Sequence, residues 1–232
     1  MKKIVSKISL LTLLVVSSVA VFAQKPSPRL LTPTNHTLVL VDYEGQMAFA
    51  TKSIGISDLR DNVGLVAGGA TIFKVPTVVT TVAEKSFSGP VFPEILEYFP
   101  DTKTYIDRTT MNTWEDKNAH AAIVGKGNKK IVFGGLWTEV CIVGPVLSAI
   151  ADGYDVYVLT DASGGVSPEA HEMAVRRMVQ AGAQPITASQ YVLELQRDWA
   201  RGETYAPVTN LFKKYGGAYG LGIQYAKDML KH

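Results

Sequence analysis

The chain is poor in cysteine: among 232 residues only Cys141 is one, so no disulfide can close within a single copy. It has no internal repeat and no low-complexity tract, so no repeat architecture competes with a single domain. It also lacks a strongly basic surface signature. Lys126, Lys129 and Lys130, beside Gly127 and Asn128, read as a solvated helix-to-strand loop, and nothing else suggests a nucleic-acid partner. The one long hydrophobic run, Ile8 to Phe22, is too short and too rich in Ser for a membrane span of about 20 residues.

That run has Lys2, Lys3 and Lys7 before it and Val21-Phe22-Ala23 at its end, the pattern of a signal peptide over residues 1–23. The expectation is cleavage after Ala23 and export to a periplasmic or secreted location, with no membrane association of the mature form. Removing the three lysines takes the formal charge from +2 to −1 and leaves 209 residues, enough for one well-cored domain. A lone thiol is often a small buried hydrophobe. In an oxidising compartment a dispensable thiol is a liability, which directs attention to the surroundings of Cys141.

Residues 24–36, with Pro26, Pro28 and Pro33, read as an extended lead-in. From Thr37 short apolar runs alternate with amphipathic stretches through residue 200. Thr37–Asp42 is a β-rich run of the kind buried on both faces, followed by a helix capped by Ser57 and running to about Phe73. Further strands are expected at 76–81, 104–107, 131–134, 155–160 and 184–187. Helices are expected near 115–124, 139–151, 168–181 and 190–200. Ser167-Pro168-Glu169 is a strong helix start, combining a cap, a first-position proline and an acid at the positive helix end. Six strand–helix alternations imply a parallel sheet with helices on both faces, and the fold expected is a three-layer αβα sandwich with a six-stranded parallel sheet in the order 3-2-1-4-5-6. The remainder, 201–232, is a Gly/Tyr-rich arm that packs on the core or on a neighbouring subunit.

In such a sheet ligands bind beyond the carboxyl ends of the strands, where the strand order reverses. Asp42 ends the first strand, and Cys141 follows the fourth within Gly134-Gly-Leu-Trp-Thr-Glu-Val-Cys141, so the two face each other across the crevice. A thiol in a first helical turn meets the positive end of the dipole and unpaired N–H groups, which favour a thiolate and a stabilised oxyanion. The alternative is that Cys141 packs inward like Val140 or Ile142. Ser163, in Asp161-Ala-Ser-Gly-Gly, does not sit in a nucleophile elbow and is read as shaping a strand-end turn.

The segment from Gly134 to Cys141 resembles the Gly-x-x-Thr-x-x-Cys nucleophile motif of the isochorismatase-like hydrolases. Leu40-Val-Asp42, Tyr105-Ile-Asp-Arg108 through Trp114, Leu147 through Tyr154 and Thr160-Asp-Ala-Ser163 continue the likeness over nearly the whole mature chain. Within the superfamily these motifs resemble the YcaC-like subgroup. The resemblance implies a triad of Asp42 as proton acceptor, Arg108 in the basic position and Cys141 as nucleophile. It also implies an oxyanion hole from the backbone N–H groups of Trp137 and Cys141, and a cis peptide at Leu136–Trp137. Asn112 and Trp114 follow the basic motif as candidate substrate-binding residues; turn chemistry for Asn112 and core packing for Trp114 are the alternatives.

Two departures matter. Arg108 stands where the superfamily generally has lysine, and a guanidinium cannot shuttle a proton. The histidines (His36, His120, His171, His232) are scattered, and none follows the second strand, so neither a metal nor any other cofactor is expected. The implied activity is cysteine-dependent hydrolysis of a small amide-like C–N bond through a thioester, in a homo-oligomer acting on a small molecule. Vinyl-ether hydrolysis of the isochorismatase type, a catalytically silent binding or assembly protein, and a thiol redox sensor are the rivals.

Overall fold

The computed structural model describes residues 25–230, so the expected signal segment lies outside the described residues. Residues 25–30 form a small turn of their own, with the Leu30 N–H on the Ser27 carbonyl. The main body begins at Leu31, already fully buried, so the lead-in ends earlier than expected.

Six parallel strands form one sheet in the order β3-β2-β1-β4-β5-β6, as the alternation predicts. They are β1 (His36–Val41), β2 (Thr77–Val82), β3 (Ile106–Arg108), β4 (Lys130–Gly135), β5 (Asp155–Leu159) and β6 (Gln184–Ile186). β1 and β4 are buried at every position, as a central strand covered on both faces must be. Lys130, expected in a solvated loop, instead opens β4 and is nearly covered.

Helices α1 (Gly45–Ala50), α2 (Ile56–Ile72), α3 (Pro93–Tyr98), α4 (Lys117–Val124), α5 (Val143–Ala151) and α6 (Pro168–Gln180) connect the strands, and α7 (Ala188–Gln196) follows β6. Two apolar clusters lie on opposite sides of the sheet. Leu38 and Leu40 point into one, with α2 and α7; Val39 and Val41 point into the other, with α5 and α6. Ser167 caps α6 as expected, accepting from the Ala170 N–H. Ser57 does not cap α2: Gly55 occupies that place without a side-chain bond.

The 201–232 arm forms two helices, α8 (Gly202–Tyr215) and α9 (Gly217–Leu230). The first folds onto its own domain, burying Val208, Leu211, Phe212 and Tyr215. It approaches α2 closely because Gly64 and Gly68 lack side chains. A Cβ at Gly68 would sit 2.4 Å from the Leu211 Cδ1. The second leaves Tyr219, Leu221, Tyr225, Met229 and Leu230 exposed.

Candidate active site

Asp42 directly follows β1 and takes a left-handed backbone (φ 56°), a conformation that Asp tolerates better than most residues. Its N–H still bonds the Thr80 carbonyl at 3.0 Å, and then the chain leaves the sheet. Arg108 is the last residue of β3, paired in register with Val82 of β2. Its Nη2 donates to Asp42 Oδ2 at 2.6 Å, and both side chains are completely buried. Nη1 donates to the Thr110 carbonyl, while Nε is buried without a partner. Thr80 Oγ1 donates to the other carboxylate oxygen, Oδ1, at 3.3 Å.

β4 delivers the third member. Gly135 pairs with Val41, and a Cβ there would fall 2.0 Å from the Val41 carbonyl oxygen, so only glycine allows the two strand ends to touch. The Leu136–Trp137 peptide is cis, as the resemblance implies. A wide helical turn, Thr138–Ile142, then brings Cys141 to Asp42 and Arg108, whose charges both act on its thiol. Cys141 is only 3% exposed. Asp42, Arg108 and Cys141, recognised separately in the sequence, are therefore in mutual contact.

Three expectations about this turn are corrected. α5 begins only at Val143, so Cys141 precedes the regular helix instead of occupying its first turn. Its N–H donates to the Trp137 carbonyl at 2.9 Å and is thus engaged within the turn, not left free for an oxyanion. The thiol is also not acidified. Burial, reinforced by the neighbouring Asp42 charge, pushes it up to about 12, and Arg108 offsets this only in part. Asp42 itself is raised to about 6 by burial, against the opposing pull of Arg108, Cys141 and Thr80. At neutral pH the resting state is a thiol beside a carboxylate–guanidinium pair.

The two candidate substrate-binding side chains are engaged elsewhere. Asn112 Nδ2 donates to Glu115 and to Ser148 on α5, and its Oδ1 accepts the Trp114 N–H, so it organises a turn. Trp114 is buried, its Nε1 donates to Asp152 at 2.8 Å, and its ring packs edge-on against His120 and Tyr154. Ser163 accepts the Gly135 N–H, the strand-end role expected of it. Among the described residues no three His, Cys, Asp or Glu side chains converge to hold a metal ion.

Other residues of the site escaped the sequence reading. Thr138 Oγ1 and His171 Nδ1 lie 2.8 Å apart, tying the nucleophile turn to α6. Glu139 accepts the Val166 N–H with one oxygen and leaves the other buried and unpartnered. Glu44, two positions beyond Asp42, is fully buried. No local signal marks it in the sequence, because its partner Val82 lies 38 residues away.

Residues 36–190 match the family model of the isochorismatase domain. The chain is 35% identical over 175 residues to the probable hydrolase YcaC of Escherichia coli K12, covering 75% of this chain and 84% of that protein. The crystal structure of the E. coli YcaC gene product, described as an octameric hydrolase of unknown specificity, superposes with a TM-score of 0.81 at 34% identity. It covers 89% of this chain and 100% of that one. YcaC from Pseudomonas aeruginosa, described with hexane-2,5-diol and covalent acrylamide, gives a TM-score of 0.80 at 31% identity, covering 87% and 98%.

Proposed function

The chain belongs to the isochorismatase family as a YcaC-like hydrolase, and from that premise we propose that it cleaves a small amide-like C–N bond through a Cys141 thioester. One observation carries the proposal: the nearly covered Cys141 lies within the electrostatic reach of a fully buried Asp42 carboxylate that is itself held by Arg108 at 2.6 Å. As Sγ attacks the carbonyl carbon, its proton passes to Asp42. Collapse of the tetrahedral adduct breaks the C–N bond, and Asp42 returns that proton to the departing nitrogen. Water, deprotonated by Asp42, then attacks the thioester, and the proton goes back to sulfur as the acid leaves. Arg108 remains charged throughout and keeps Asp42 oriented. In this scheme the Trp137 N–H, rather than the engaged Cys141 N–H, faces the oxyanion.

A thiol raised by burial gains from such direct proton transfer, because no standing thiolate is available. The same burial disfavours the redox-sensor rival, whose cysteines are exposed and acidic. The P. aeruginosa relative, described with covalent acrylamide, is a precedent for a small amide reacting with a protein of this kind. Screening small primary amides against wild type and Cys141→Ala tests the reading. Turnover by wild type should rise with pH through about 6, where Asp42 ionises, and vanish in the variant. Amide turnover that survives Cys141→Ala defeats the mechanism.

We also infer self-assembly, by analogy with the octameric E. coli protein. A groove of about 770 Å³ lined by Trp199, Tyr205, Tyr219, Ile223 and Leu230 lies among the C-terminal helices, and aromatic-rich apolar surface of this kind favours association. Light scattering should find an oligomer that truncation at Arg201 weakens; a monomeric full chain would exclude it.

A further inference from the structure

Glu44 is a buried acid that the mechanism above does not use. It is fully covered, and its Oε2 accepts the Val82 N–H at 3.0 Å. That bond replaces a missing strand partner. β1 has already turned away at Asp42, so the Glu44 carboxyl closes the edge of β2 at Val82, two residues beyond Thr80, where the last β1–β2 backbone bond falls. Val82 pairs in register with Arg108, which places the carboxyl beside the strand end that carries the guanidinium. The second oxygen, Oε1, is buried and has no partner, and so is Arg108 Nε.

The charges around Glu44 decide its state. Asp42 at the end of β1, Glu84 in the turn after β2 and Asp107 on β3 all act on it, so ionisation would place a fourth negative charge there without a hydrogen-bond donor for Oε1. Burial and these three acids together raise it to about 8, against the opposing Val82 bond. Oε2 is occupied as an acceptor, so the retained proton belongs on Oε1. A buried O–H donor with no acceptor in the protein wants one from a ligand.

We propose that Glu44 is a neutral hydrogen-bond donor of the active site, presenting Oε1–H to an uncharged acceptor oxygen of the substrate and disfavouring anionic substrates. The assignment rests on the amide-hydrolase reading of the same site and narrows it to neutral amides. A carboxylate-bearing substrate would add its charge beside Asp42 and an acid that can itself ionise. An uncharged carbonyl or hydroxyl oxygen meets a donor. Glutamine at this position could keep the Val82 bond and offer an N–H in place of the O–H, and it cannot ionise.

The test compares Cys141 alkylation by iodoacetamide and by iodoacetate in the full chain, for wild type and Glu44→Gln, with free cysteine as the reference thiol. Taking the wild-type to Glu44→Gln ratio cancels whatever Cys141 does with pH. For iodoacetamide that ratio should fall about tenfold between pH 7 and pH 9, as a donor titrating near 8 is lost. Wild type at pH 7 should also prefer iodoacetamide over iodoacetate at least about tenfold more strongly than free cysteine does, a discrimination of roughly 1.4 kcal/mol. An infrared difference spectrum between wild type and Glu44→Gln should show a protonated-carboxyl band at pH 6.5 that fades by pH 9. A flat ratio, an unselective Cys141, a Cys141 that neither reagent modifies, or a missing band each overturns the assignment. If all three readouts succeed while no amide is hydrolysed, the donor stands and the hydrolase reading falls. Amide turnover with a flat ratio removes the donor alone.

Discussion

Both ends of β1 bury ionisable groups, yet the two ends are built differently. At the start, His36 donates from Nδ1 to the Thr32 carbonyl at 2.8 Å and receives the Tyr191 hydroxyl on Nε2 at 3.0 Å. Both ring nitrogens are satisfied, and burial lowers the imidazole to about 4, so it stays neutral. At the other end Asp42 and Glu44 are surrounded by partial solutions. An ion pair is fully buried, Arg108 Nε and Glu44 Oε1 have no partner, and both acids are raised. The first arrangement is what stability alone selects. The second leaves polar groups unsatisfied in the protein and therefore available to a ligand.

The largest break in this comparison comes from Arg108→Ala. It strands the Asp42 carboxylate in the interior and should cost about 3–5 kcal/mol in urea unfolding at pH 7. Part of that loss should be recovered at lower pH, as Asp42 becomes protonated. A cost below about 1 kcal/mol would place the pair among ordinary surface contacts.

A comparable but pH-resolved effect separates the two ends directly, because they titrate in opposite senses. Glu44 is raised from 4.5 to about 8, so the folded state holds a proton that the unfolded chain has released. Its stabilising contribution is intact below pH 4.5 and declines as pH rises through this window. His36 is lowered from 6.5 to about 4, so its contribution is intact above 6.5 and is lost as pH falls towards 4. Each slope should amount to a few kcal/mol at most. Urea midpoints from pH 4 to 9 should show the alkaline loss flattened in Glu44→Gln and the acid loss flattened in His36→Gln. Swapped or unchanged slopes would show that the two ends do not differ in this way.

The smallest effect sharpens the site end alone. Thr80→Val keeps the shape of the side chain and removes one donor to Asp42 Oδ1, at a cost of about 1 kcal/mol. Losing a donor to the carboxylate raises its protonation point, so the acid limb of amide turnover should move upward from about 6. An unmoved limb would show that the 3.3 Å contact has no influence on Asp42.

The parts legible in the sequence were those with a local cause. Alternating apolar and amphipathic runs, the Ser167-Pro168 start and Gly134-Gly135 marked the strands, the α6 cap and the tight β4 end. Asp42, Arg108 and Cys141 stood out because each sits at or just after a strand end within a motif. Glu44, Thr80 and His171 did not, because their partners lie 38, 38 and 33 residues away along the chain. Asn112 and Trp114 looked like pocket residues from their place beside Arg108. The fold turned them instead towards Ser148 and Asp152 of the neighbouring helical segment, where their hydrogen bonds are met.

By itself, then, the sequence determined a parallel sheet covered by helices on both faces, since alternating strand and helix runs with short connections leave no other layering. The resemblance of its motifs pointed to the Asp42–Arg108–Cys141 cluster. The protonation states within that cluster were decided only by the tertiary structure. From its helical position Cys141 reads as a thiolate, yet burial and the Asp42 charge hold it as a thiol. Glu44, which no sequence motif marks, is raised to about 8. The reason is that a charge responds to solvent exclusion and to every other charge within reach, and both are sums over strands and turns far apart in the chain.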